Sequence, residues 1–143
     1  MPGNRGRIKS FGILLGAILC LSAGLGGCFE GYTGADGGIL LSYLDPVALQ
    51  ELTLNPDPDI WLIDVRPNAS YVGGHIPTAL SYPSSEIASR LGELPLTQYL
   101  IVHCETGGRA QAVITEILEP NGYTRFMNWG GITRWPYALE TGP

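Results

Sequence analysis

Two short runs constrain this chain more than anything else in it. Ile60-Trp61-Leu62-Ile63-Asp64-Val65 and Tyr99-Leu100-Ile101-Val102-His103 are apolar at nearly every position. A strand with one face in water alternates apolar and polar residues. An unbroken run belongs to a strand covered on both faces, the setting of a parallel sheet between helices. The segments between the runs carry helix signals. Asp45-Pro46 reads as a cap and first helical residue, continued by residues 47–54. Residues 55–59, rich in Pro and Asp, form a turn. Residues 67–72 suit one helical turn, and 84–91 a helix with a hydroxyl cap. Residues 108–118 place Ala112, Ile114, Ile117 and Leu118 on one helical stripe, ended by Asn121-Gly122. Residues 79–82 and 126–128 add short strands, and Trp129-Gly130-Gly131 begins a closing turn. Strands alternating with helices predict an α/β domain with a mostly parallel sheet. In such sheets the functional crevice lies at the carboxyl ends of the strands.

The N-terminus sets the compartment. Residues 1–9 carry Arg5, Arg7 and Lys9 and no acid, and Phe11 to Gly27 is apolar and glycine-rich. That order is the pattern of a secretory leader. A spanning helix needs about 20 mostly apolar residues, and this stretch is shorter and interrupted by glycines. Leu25-Gly26-Gly27-Cys28 resembles the lipobox of bacterial lipoproteins. The resemblance implies a signal peptide over 1–27 and a lipidated Cys28. It also implies a membrane-anchored protein of the cell envelope, facing the periplasm or the exterior. Residues 28–41, with Gly31, Gly34, Gly37 and Gly38, read as a flexible tether. Residues 42–143 are the folded domain, a length that allows one domain.

Without the leader, five arginines face 13 acids, a formal charge of −8. That argues against nucleic acid, which selects for basic surfaces. Cys104 becomes the one free thiol, so neither an internal disulfide nor a Cys-x-x-Cys couple is available. One Cys with the scattered His75 and His103 makes no zinc site, and no metal is expected.

Cys104 therefore carries the argument. It ends an apolar strand and is followed by Glu105-Thr106-Gly107-Gly108-Arg109-Ala110, with a helix beginning at Gly108 or Arg109. A tight loop entering a helix turns backbone N–H groups inward and makes an anion cradle. Gly107 and Gly108 permit the backbone angles, and Arg109 adds a forked cation. By position alone, a cysteine closing a buried strand is usually a small hydrophobe. The Gly-Gly-Arg turn makes it a candidate nucleophile instead.

Asp64-Val65-Arg66-Pro67, Gly74-His75-Ile76-Pro77-Thr78-Ala79, Cys104 to Ala110, and Gly130-Gly131-Ile132 with Trp135 resemble the rhodanese family in its own order. The resemblance implies a small, mostly five-stranded parallel sheet flanked by helices. It implies a sulfurtransferase in which Cys104 takes sulfur from a small donor (thiosulfate, polysulfide or persulfide). The resulting persulfide would rest on N–H groups of residues 105–109 and pass its sulfur to a thiol or cyanide, with no cofactor. Glu105, Thr106, Gly107, Gly108 and Arg109 form the substrate loop. Asp64, Arg66 and His75 hold neighbouring turns, and Trp129 and Trp135 pack in the core or beside the loop. His103 is expected on the opposite side of its strand from Cys104. Ser70 stands where the family usually has an acid, leaving Arg66 one partner short. Ala110 replaces a frequent serine. Glu105 places an acid beside the nucleophile, which disfavours thiosulfate.

Two other classes stay open. A Cys-dependent phosphatase or arsenate reductase shares the pattern, but has five residues between Cys and Arg, against four here. A non-catalytic, membrane-tethered binding module of the same fold is the other, because fold alone does not fix function.

Overall fold

The computed structural model describes residues 31–143. The predicted leader and Cys28 lie outside the described residues. Helix α1 spans Pro46–Leu54, with the Asp45 carboxylate accepting the Val47 N–H at 2.8 Å. Strand β1 is Ile60–Asp64, α2 is Asn68–Gly73, β2 is Leu80–Ser81 and β3 is Tyr99–Cys104. Helix α3 runs over Gly108–Val113, and β4 over Phe126–Gly131. The sheet has order β2-β1-β3-β4 with every pair parallel.

The two apolar runs are its central strands. Period-two alternation sends their residues to two layers. Ile63, Leu100, Val102, Cys104 and Phe126 pack against Ala110, Val113, Ile114 and Leu118. Leu62, Ile101, Met127 and Trp129 pack against Leu40, Leu49, Tyr71, Ile76 and Trp135. Both expected tryptophans are thus in the core.

Five expectations change. The sheet has four strands among the described residues, not five. Beside β4 the chain makes only one antiparallel bridge, Thr33 to Met127, before residues Gly38–Leu44 turn into a 3-10 helix. For the same reason residues 31–41 are not a tether. Gly34 N–H bonds to the Phe126 carbonyl at 3.0 Å, Asn128 N–H bonds to the Tyr32 carbonyl at 2.8 Å, and Leu40 is fully buried. The glycine at 34 serves close approach, since a Cβ there would overlap the Thr124 carbonyl.

Residues Ile87–Glu93 form a 3-10 helix with no side-chain cap, held instead by Arg90 to Glu93 at 2.9 Å. Residues 108–118 leave α geometry at Ile114 and continue as a π-helical stretch to Leu118. Pro120 lacks the N–H that would bond Glu116, and its ring crowds that carbonyl. Gly122 then ends the segment at φ 87°.

β4 does not stop at Asn128. A register shift pairs Val102 with Asn128 but His103 with Gly130, so Trp129 is an extra residue. Such a bulge re-aims the residues beyond it, and here it brings Gly131 opposite Cys104. A 3-10 turn at Ile132–Arg134 closes the strand.

Because Leu40 fills the core, Leu40→Ala in the purified protein should cost about 2–5 kcal/mol of stability. Urea unfolding checks this, and a tether would show no change.

Candidate active site

β3 ends at Cys104 and α3 begins at Gly108, so Glu105, Thr106 and Gly107 are the whole connection. Cys104 is 2% exposed. Gly107 sits at φ 107°, in the left-handed region that glycine occupies without a Cβ clash. That turn aims its N–H at the Cys104 Sγ, 3.1 Å away. An N–H so placed is a ready donor to an anion formed on the sulfur.

The loop lies directly on β4. A Cβ on Gly131 would overlap the Glu105 carbonyl oxygen and stand 2.5 Å from the Thr106 Cα. Asn128 braces the loop from the same strand. Its Nδ2 donates to the Gly107 carbonyl at 3.2 Å and to Gln111 Oε1 at 3.0 Å, while its Oδ1 accepts the Gly130 N–H at 2.8 Å. Sequence reasoning missed Asn128. The available signal was an amide inside an otherwise apolar strand.

Asp64 closes β1 and is fully buried. It accepts the Arg66 backbone N–H at 2.9 Å. It also accepts Arg66 Nε at 3.1 Å on both oxygens and Nη2 at 2.7 Å. Nη2 donates again to the Gly74 carbonyl at 2.8 Å, fastening the turn before His75. The expected shortfall at Arg66 is made good by Glu105, whose carboxylate stands 3.6 Å from Nη1. Burial alone would lower the Arg66 pKa. The hydrogen bonds and charge of Asp64, with less from Glu105, raise it above its ordinary value.

His103 is fully buried and packs edge-on to Trp129, on the side of β3 away from Cys104. Its Nδ1 donates to the Cys104 carbonyl at 3.3 Å. Its Nε2 has no hydrogen-bond partner and lies 3.8 Å from Asp64. Burial pushes the imidazole pKa down, against the pull of the Asp64 charge. The ring is therefore neutral near pH 7.

His75 follows the Gly74 carbonyl that Arg66 holds. It stacks on Tyr71 with centroids 3.8 Å apart, and its backbone exchanges two hydrogen bonds with Glu140. Thr106, Gly108 and Arg109 are exposed at the outer side of the loop. Among the described residues Arg109 has no ion pair. There, too, no three metal-ligating side chains gather, and no helix is long and apolar enough to cross a membrane. A groove of about 240 Å³ lined by Leu49, Leu52, Trp61 and Leu80 shares no residue with the loop.

A parallel sheet, a cysteine at a strand end and a short glycine turn define an α/β domain with a cysteine-centred loop. Residues 45–137 match the rhodanese-like domain family, and the chain belongs to it. A sulfurtransferase of Allochromatium vinosum is 33% identical over 78 residues, covering 54% of this chain and 72% of its own. The thiosulfate sulfurtransferase GlpE of Pseudoalteromonas translucida is 29% identical over 91 residues, covering 64% of this chain and 87% of its own. The crystal structure of a rhodanese-like domain protein from Staphylococcus aureus superposes with a TM-score of 0.59 at 26% identity, covering 68% of this chain and 95% of that one.

The geometry makes two outcomes measurable. Gly131→Ala should cost about 1–3 kcal/mol through overpacking beneath the loop, measured as a lower urea midpoint. The folded His103 binds its proton more weakly than the unfolded one, so the unfolded chain takes up the extra proton. Stability then falls as the pH drops below about 6.5. Urea midpoints between neutral and mildly acidic pH should show that fall, and His103→Gln should flatten it.

Proposed function

We propose that the protein is a sulfurtransferase that carries sulfur as a persulfide on Cys104. The observation that carries this reading is the Gly107 N–H held 3.1 Å from the Cys104 sulfur by a loop seated on Gly131. The sulfurtransferase names of its relatives support it. In the first half-reaction the Cys104 thiolate attacks the terminal sulfur of a donor. A Cys104 S–S bond forms, the donor's own bond to that sulfur breaks, and the donor remnant leaves with the electron pair. In the second, cyanide or a thiolate attacks the outer sulfur and the Cys104 thiolate departs. The two steps share one covalent intermediate, so ping-pong kinetics are expected.

The chain's own groups have separate tasks. The Gly107 N–H holds the sulfur anion, and Arg109 meets an oxyanion of the donor from the solvent side. No base is required of His103, which is buried across the strand. The near-complete burial of Cys104 suits transfer of one slim atom better than attack on a tetrahedral phosphate.

The reading extends to location. The basic start, apolar stretch and Leu25-Gly26-Gly27-Cys28 support export and lipidation at Cys28.

Intact mass of the purified protein after incubation with thiosulfate or polysulfide tests the chemistry. A gain of one sulfur, reversed by cyanide and absent in Cys104→Ser, is expected. No gain from any donor, with the thiol still open to alkylation, would favour a binding module.

A further inference from the structure

We infer that Glu105 selects the charge of the sulfur donor, by occupying the one Arg66 nitrogen that could otherwise face an anionic substrate. The inference rests on the sulfurtransferase reading of Cys104. Arg66 has three guanidinium nitrogens. Nε is spent on Asp64, and Nη2 on Asp64 and the Gly74 carbonyl. Nη1 remains, and the Glu105 carboxylate stands 3.6 Å from it. The side chain of Arg66 is 6% exposed and that of Glu105 61%. The cation is thus fixed within the protein, and the acid caps it from the solvent side, one residue from the nucleophile.

The charges around the loop then divide simply. Asp64 and Arg66 neutralise one another. Glu105 contributes a negative charge beside the mouth, and exposed Arg109 is the cation of the loop left to a ligand among the described residues. A dianion such as thiosulfate meets one available guanidinium and one carboxylate where two guanidiniums could have stood. A donor whose carrier group is neutral or positively charged escapes that penalty, and an ammonium group gains from Glu105. The substrate class is therefore a sulfane donor without a dianionic end.

Thiosulfate and 2-aminoethanethiosulfonate are matched probes. Each gives its terminal sulfur to the Cys104 thiolate. The Cys104 S–S bond forms, the donor S–S bond breaks, and sulfite or 2-aminoethanesulfinate leaves with the electron pair. The first donor is a dianion and the second a zwitterion of net charge zero. Steady-state kinetics with cyanide as acceptor should favour the zwitterion in the native protein. Glu105→Gln should raise kcat/KM for thiosulfate about tenfold, most of it in KM, the scale of one partly screened charge at a protein surface. It should not raise the value for the zwitterion, and added salt should shrink the difference between donors. Equal changes for both donors, or none, would overturn the selection while leaving the sulfurtransferase intact. A Cys104 that gains sulfur from neither donor would overturn both.

Discussion

A carboxylate with no exposure to water must be paired, and Asp64 is such a group. Losing one partner of a buried ion pair costs about 3–5 kcal/mol, because a bare charge is left behind. That demand fixes Arg66 two residues away. The Arg66 guanidinium reaches in turn to the Gly74 carbonyl and towards Glu105. One buried charge at the end of β1 thereby positions the turn before His75 and the first residue of the loop after β3. Those segments are distant in sequence and share no strand pairing.

The second constraint is steric. The β4 bulge at Trp129 brings Gly131 level with Cys104, and the missing side chain leaves room for the loop backbone. Asn128 then holds the loop by its Gly107 carbonyl. The sulfur contact at Gly107 is the last link of this chain of placements. The hydrogen bond to the sulfur at this end of the sheet thus comes from the backbone.

The buried strands, the Asp45 cap and the Cys104 loop were legible in the residues, because each arises from local pattern. Ser70 raises the expectation that Arg66 is one partner short, and in the structure Glu105 stands 3.6 Å from its Nη1. That Glu105 supplies one was not legible, since the two residues are 39 positions apart and meet only through folding. The glycines at 31–38 misled in the ordinary way. Glycine marks flexible linkers and close backbone contacts alike, and burial of Leu40 decides between them. The π-helical stretch was hidden because apolar spacing in residues 108–118 satisfies an α-helix equally well.

The covering of β4 by residues 32–34 has a consequence for the behaviour of the domain in company. A free sheet edge offers unpaired N–H and C=O groups to any other extended chain. Here one edge is capped by Tyr32 and Gly34, which bond Asn128 and Phe126. The opposite edge, β2, is only two residues long. Among the described residues, β2 covers β1 only at Ile63 and Asp64, so the two borders differ in how far they are closed. The capping thus shields the β4 border of a sheet built from two strongly apolar central strands.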